Sequence, residues 1–279
     1  MENIYNIIES LLPFSWITYD FMKNALLAIL IITPLFGILG TMIVNNQMAF
    51  FSDALGHSAL TGMAIGIVFG IQDTNISMII FAVIFSLLLN KIKRRKTVST
   101  DTVISVFASL STAIGLVILS KGGNFSKYSS LLVGDILSIA PKEILSLLLI
   151  FIVTLVFWYG AFNKLHAISV NETLAKSKHI NSALIDNIFV VIIALIVMLS
   201  IKWVGILIIN ALLILPAAAS RNLSSNMREY HLFSVLISVF SGIVGLILSY
   251  YNNTATGPTI VIIASIIFFM TLICKPLVK

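Results

Sequence analysis

Charged residues are scarce in this sequence. Only 10% of its 279 residues are Asp, Glu, Lys or Arg, whereas an ordinary soluble domain has about 25%. Hydrophobic residues make up 59% of the chain, and its mean hydropathy is +1.08. A water-soluble protein of this length could not cover its surface with so few charges. The soluble, disordered, collagen-like and coiled-coil classes are therefore excluded, and a polytopic membrane protein is left.

Cysteine and recognisable catalytic motifs are also missing. Cys274 is the single cysteine, which excludes an internal disulfide and a thiolate-rich metal cage. The sequence has no Walker A motif, no Rossmann glycine fingerprint and no Ser-His-Asp set in a recognisable context. No loop is long enough to fold alone, so the chain is not expected to be an enzyme, and any ATP chemistry is expected on another chain. The net charge of +6 lies at the ends of apolar runs, so nucleic-acid binding is not expected.

Long apolar runs separate the few charges and predict the membrane spans. A membrane helix needs about 20 largely apolar residues. The predicted fold is therefore all-α, a polytopic helical membrane bundle with about eight or nine transmembrane helices, located as a multi-pass protein in the cell membrane. Nine candidate spans cover residues 24–44, 53–71, 75–91, 101–120, 143–162, 184–201, 203–220, 231–250 and 258–274.

Two further segments are not expected to span. Residues 131–140 are apolar but too short, and are predicted to form either a half-helix or an interfacial segment. Residues 1–20, with Trp16 and Tyr19, are predicted to be an interfacial amphipathic lead-in. Residues 21–279 would then form a single transmembrane domain.

The Lys and Arg residues predict the orientation, because they accumulate in cytoplasmic loops. The densest basic cluster should be cytoplasmic, and alternation then places 163–183, 221–230 and the C-terminus inside. The loops 72–74, 121–130 and 251–257 are predicted outside, with Lys121, Lys127 and Lys202 as mild exceptions. An odd number of spans puts the N-terminus outside, and a re-entrant span would reverse that end. The cluster consists of Lys91, Lys93, Arg94, Arg95 and Lys96.

One ionisable pair lies within a predicted span. Asp53 and His57 are four residues apart, so a helix would place them on one face, about one turn apart. Together they could bind a divalent cation or pair with each other. Alternatively, Ser52 or Asp53 caps the helix N-terminus, where a negative charge is favourable. The other histidines, His166, His179 and His231, are interpreted as solvated surface residues.

The helix that carries this pair also has small residues at every fourth position. Ser58, Gly62, Gly66 and Gly70 follow the pattern typical of close contact between membrane helices. We therefore expect this face to pack inside the bundle and to keep the pair away from lipid.

Five segments in order resemble the membrane permease subunits of manganese and zinc ABC importers. The resemblance extends over about residues 20–275. The first match resembles the signature "FF-D-A-hH-A", where h is hydrophobic. The segment 170–179 departs from the family's cytoplasmic motif, because it keeps Glu172 and Ala175 but lacks the first acid and the glycine. The matching segments are 51–58, 101–104 with 113–117, 131–137, 212–221, and 249–250 with 256–261.

This resemblance implies a function, a site and partners. Asp53 and His57 would form part of a transient site for Mn²⁺ or Zn²⁺ as transported substrate, with no permanently bound cofactor. Two copies of the chain would lie in the lipid bilayer. They would work with two cytoplasmic ATPase subunits and with an extracellular metal-binding lipoprotein. A short coupling helix within 168–181 would contact the ATPase through Val170, Asn171, Glu172, Leu174 and Ala175. The ion would then move by alternating exposure of its site to the two sides.

Two other classes of function are weighed against this one. A stand-alone secondary carrier would use Asp53 and His57 as a proton or ion relay, but the inverted repeat typical of such carriers is not convincing here. An intramembrane enzyme would need a second cluster such as HExxH, which the sequence lacks. Dependence of uptake on an ATPase subunit separates the importer from the carrier.

Overall fold

The fold is seen in a computed structural model of the full chain. The structure describes residues 5–6, 9–10, 14–71, 73–94, 99–121 and 133–278. Parts of the predicted lead-in at 1–20, Arg95 and Lys96 of the basic cluster, Lys127, and the first residues of segment 131–140 lie outside the described residues.

Ten α-helices account for most of the described residues, which contain no β-strand. This confirms the predicted all-α class. The helices are α1 (Asp20–Asn45), α2 (Phe51–Val68), α3 (Thr74–Lys93), α4 (Thr100–Lys121), α5 (Pro141–Val170), α6 (Glu172–Ser177), α7 (Ser182–Val204), α8 (Ile206–Leu223), α9 (Met227–Asn252) and α10 (Thr256–Val278).

Each of the nine predicted spans coincides with one of these helices, and α6 is the additional short one. Seven helices are long and apolar enough to cross a membrane: α1, α3, α4, α5, α7, α9 and α10. The other two of the nine helices that match predicted spans, α2 and α8, have 18 residues each. In α2, Asp53 and His57 lower the hydropathy of the helix.

Residues 134–140 of segment 131–140 form no α-helix. Gly134 adopts a positive φ of +70°, and a single 3₁₀ turn follows at Ile136–Ser138. The side chain of Asp135 caps this turn by accepting a hydrogen bond from the Leu137 amide at 3.0 Å. Gly134 lies against Gly205, whose φ is +90°. A β-carbon on either glycine would collide with the backbone of the segment that holds the other glycine.

The chain divides into two compact units. The first consists of Met1–Thr41, Val133–Phe151 and Lys202–Lys279, and the second consists of Met42–Leu132 and Ile152–Ile201. In the first unit, α8, α9 and α10 pack together through small residues. Gly245 on α9, for example, leaves so little room that a β-carbon there would lie 2.7 Å from Cα of Ile260.

In the second unit, α2 packs tightly against α3 and α4. A β-carbon at Gly62 would lie 3.0 Å from Cα of Met78, and Ser77 of α3 donates a hydrogen bond to the Gly62 carbonyl. On the α4 side, Ser111 donates to the Thr61 hydroxyl at 3.0 Å. The expected packing of the small residues is thus found at Gly62. The prediction of close packing is wrong for Gly70, which lies after the end of the helix. Its φ is +69°, and no atom lies within 4 Å of where a β-carbon would be.

Candidate functional site

Asp53 and His57 occupy the only open positions in the first part of α2. Among residues 51–64, all except these two are buried. The side chains of Asp53 and His57 are 37% and 27% exposed. The sequence therefore places its two ionisable side chains at the one opening in an otherwise enclosed stretch of helix.

The two side chains face each other, as their spacing of four predicts. His57 Nε2 lies 3.8 Å from Asp53 Oδ1, which is longer than a good hydrogen bond. The other ring nitrogen, His57 Nδ1, is buried and has no hydrogen-bond partner in the described part of the chain. A buried nitrogen without a hydrogen-bond partner is energetically costly.

The capping alternative holds only in part. Phe50, not Ser52 or Asp53, occupies the N-cap position of α2, and its side chain makes no capping hydrogen bond. Asp53 does lie in the first turn, where its negative charge interacts favourably with the helix dipole. That interaction does not occupy the oxygen atoms of its carboxylate.

A carboxylate and an imidazole suit divalent ions of borderline or hard character. The described residues contain no group of three or more His, Cys, Asp or Glu side chains arranged to hold a metal. Asp53 and His57 would therefore supply two of the four or more ligands that Zn²⁺ or Mn²⁺ takes. Such an incomplete site suits an ion that binds briefly and then leaves.

The remaining histidines divide into two groups. His179 is exposed, as predicted. His166 and His231 are only partly exposed: the His166 ring packs edge-on against Phe162 at 4.6 Å between centroids, and His231 Nδ1 lies 2.8 Å from the Met227 carbonyl. The surface interpretation is wrong for these two, because each sits within a helix that packs that face.

A short helix forms in the predicted coupling segment. Asn171 caps α6 by accepting a hydrogen bond from the Leu174 amide at 3.0 Å. Ala175 is 1% exposed and anchors the helix, whereas Val170 and Leu174 are 78% and 57% exposed. The segment thus holds one face against the protein and presents two large apolar side chains outward.

Glu172 has a different position from the one expected for a partner contact. Its Oε1 lies 3.0 Å from Arg94 Nη2 and 3.0 Å from Lys176 Nζ, and Ser182 donates to it at 3.2 Å. Arg94 also donates to the Ser182 hydroxyl at 2.8 Å. The carboxylate therefore links α6 to the residue after α3 and to the start of α7. Sequence reasoning missed this role of Arg94, because its position in a basic cluster indicated only orientation.

A polar cavity of about 340 Å³ lies beside this cluster, within the second unit. Its wall includes the ends of α1, α3 and α5 and the start of α7, with Lys93 and Asp186 among the lining residues. Asn45 donates to Ser169 at 2.8 Å, and Asn90 donates to Asn187 at 2.8 Å. Polar side chains thus join several helices at the end of the unit where α6 lies.

Comparison with known proteins identifies the relatives of this chain. A family model described as the ABC 3 transport family matches residues 18–275. The chain is 30% identical over 249 residues to the high-affinity zinc uptake system membrane protein ZnuB of Buchnera aphidicola subsp. Baizongia pistaciae (strain Bp), with 88% of this chain and 94% of the relative covered. It is 24% identical over 258 residues to the manganese transport system membrane protein MntC of Listeria monocytogenes, with 92% of each chain covered.

A solved structure has the same fold. PsaBC from Streptococcus pneumoniae in complex with Fab matches with a TM-score of 0.79 at 23% sequence identity. The match covers 97% of this chain and 95% of that chain. The similarity supports the all-α polytopic bundle described above.

Proposed function

Since this chain belongs to the ABC 3 transport family, we propose that it is the membrane permease of an importer for Zn²⁺ or Mn²⁺. It is a multi-pass protein of the cell membrane, with seven helices long and apolar enough to span. The observation that carries the proposal is the exposure of Asp53 and His57 at the one opening in residues 51–64 of α2.

The relatives support a divalent metal as the substrate. One is named for zinc uptake and the other for manganese transport. A pair consisting of one carboxylate and one imidazole is compatible with both ions, and the absence of a thiolate ligand at this pair disfavours softer metals. We therefore propose the class of ion and leave both metals as candidates.

The proposed mechanism is transient binding followed by alternating exposure. Asp53 and His57 hold the ion with two ligands, while water or a second copy of the chain completes the coordination. Because the site is incomplete, the ion is not trapped. ATP binding and hydrolysis on separate cytoplasmic subunits shift the helices between outward-facing and inward-facing packing, so the ion crosses without a continuous pore.

The proposed partners are based on the same family membership. The cytoplasmic ATPase would dock on α6 and on Val170 at the end of α5, because Leu174 and Val170 are exposed there and Asn171 and Ala175 fix the backbone of α6. An extracellular metal-binding lipoprotein would deliver the ion from the other side. Two copies of the chain would face each other in the complex, and the ATP hydrolysis would belong to the partner chains.

The first prediction concerns uptake by the complex of this permease with its ATPase and its metal-binding lipoprotein in proteoliposomes. Asp53→Asn and His57→Ala should each lower Zn²⁺ and Mn²⁺ uptake by more than the roughly 10- to 100-fold that loss of an outer-shell partner costs. His57→Ala removes the imidazole ligand, and Asp53→Asn replaces the charged carboxylate by a neutral amide, which is a weaker ligand. The measurement is uptake of each radioactive metal with and without ATP.

Asp101→Asn is the matched control, because Asp101 is also a carboxylate in the first turn of a membrane helix of the second unit, but an exposed one. It should leave uptake close to that of the unchanged chain. Normal transport of both metals by the Asp53 and His57 variants would refute the site. Uptake that persists without any ATPase subunit would instead support the secondary carrier.

A further inference from the structure

The short helix α6 is tied to other helices by one charged cluster. Arg94, directly after α3, donates from one nitrogen, Nη2, to Glu172 of α6 and to Ser182 of α7. The Arg94 and Glu172 side chains are 22% and 25% exposed, and Ser182 is buried. A charge-assisted pair that is largely shielded from water is stronger than an exposed one. The cluster thus joins three helices at one point.

A second ion pair of the same length provides a contrast. Lys176 also lies 3.0 Å from Glu172 Oε1, but both residues belong to α6, and the Lys176 side chain is 59% exposed. An exposed pair within one helix contributes only about 0.3–0.5 kcal/mol and connects no other element. The link from α6 to α3 therefore depends on Arg94 rather than on Lys176.

Helix α3, which ends just before Arg94, packs closely against the helix that carries the site. The backbone amide of Arg94 donates to the Asn90 carbonyl, so the residue continues the last turn of α3. Farther along, α3 contacts α2 so closely at Gly62 and Met78 that no side chain fits between them. A displacement of α3 would therefore move α2, on which Asp53 and His57 lie.

We propose that Arg94 is a positioning residue that transmits movement of α6 to α3 and from there to the Asp53–His57 pair. This inference rests on the proposed function, because it takes α6 as the docking element for an ATPase. The route runs from Glu172 through Arg94 and α3 to α2, entirely within the second unit. Arg94 contacts neither the ion nor ATP, and its effect is to couple ATP hydrolysis to transport.

The test measures the number of ions imported per ATP hydrolysed by the assembled transporter in proteoliposomes. In Arg94→Ala, ATPase subunits should still bind and hydrolyse ATP, because Val170 and Leu174 remain in place. The ratio should fall at least about fivefold, the lower end of measured coupling between linked sites. Arg94→Lys should restore part of the ratio, since an ammonium can donate to Glu172.

Lys176→Ala is the matched control, because it removes the other 3.0 Å partner of the same carboxylate oxygen. It should leave the ratio of ions to ATP unchanged. If Arg94→Ala fails to accumulate in the membrane, Glu172→Gln provides the same test, since the amide keeps the shape of the side chain and removes its charge.

An unchanged ratio in Arg94→Ala or Glu172→Gln would overturn the inference. So would a parallel loss of hydrolysis and transport, which would indicate a purely structural role. Failure of the unchanged complex to import metal in an ATP-dependent manner would instead refute the proposed function. The two failures are thus distinguished within one experiment.

Discussion

Single residues in α2 combine two requirements that usually exclude each other. The helix packs closely, which demands small residues such as Gly62, and it also carries an ionisable carboxylate in an apolar segment. Burying an unpaired carboxylate is expensive. Here the cost is reduced because Asp53 lies in the first turn of the helix and its side chain is 37% exposed.

At the residue scale, we predict that Gly62→Ala destabilises the protein by about 1–3 kcal/mol, the usual cost of overpacking. The added methyl would lie 2.9 Å from Cβ of Phe81 and 3.0 Å from Cα of Met78. Since a backbone atom cannot move away easily, α2 and α3 would have to separate. The measurement is the apparent melting temperature of the purified protein in detergent.

The control is the same substitution at Gly160 of α5, where no atom lies within 4 Å of the added methyl. Gly160→Ala should leave the melting temperature unchanged or raise it slightly, because alanine favours a helix. Equal losses of stability in the two variants would contradict the packing argument.

At the scale of the element, α6 is too short to be stable by itself, since isolated helices need about 12–15 residues. Its six residues are held by the Asn171 cap, by the buried Ala175 and by the Glu172–Arg94 pair. None of these contacts uses the side chain of Val170 or of Leu174. Large apolar side chains that a short, well-anchored helix presents outward are typical of a docking surface.

We therefore predict that Leu174→Glu weakens binding of the ATPase subunit by about thirtyfold or more, because loss of a central apolar anchor costs about 2 kcal/mol or more. The measurement is the affinity of the purified ATPase for the permease in nanodiscs. Melting of the permease alone should change little, since Leu174 is exposed.

Ser225→Glu introduces the same charge at another exposed position in a loop also predicted to be cytoplasmic. It should leave the affinity for the ATPase unchanged. If both variants bind equally well, α6 is not the docking element.

At the scale of the whole molecule, the distribution of Lys and Arg remains the basis of the predicted orientation. Arg94 of the basic cluster and Lys176 of loop 163–183 meet at the same carboxylate of α6, so two regions that are both predicted to be cytoplasmic are close in space. A direct measurement of sidedness tests this prediction.

A labelling experiment provides it, since Cys274 is the single cysteine and can be replaced by serine. In that background, Thr254→Cys should react with a membrane-impermeant maleimide added to intact cells, because 251–257 is predicted outside. Ser177→Cys in α6 should react only after permeabilisation. The reverse pattern would invert the orientation and would rule out cytoplasmic docking at α6.

The sequence alone determined the fold class, the span positions and the pair Asp53–His57. The bilayer leaves few solutions to a chain with long apolar runs, since every backbone polar group must be bonded internally. A spacing of four residues likewise places two side chains on one face of any helix. These conclusions depend on local pattern, which a sequence displays directly.

The tertiary structure decided which of these residues are exposed and which residues that are distant in sequence are in contact. Only packing against α3 and α4 leaves Asp53 and His57 exposed while their neighbours are buried. Arg94 and Glu172 are 78 residues apart, and no periodicity indicates their contact. Such pairings arise from how helices pack, because the free energy that selects them is shared among many side chains distant in sequence.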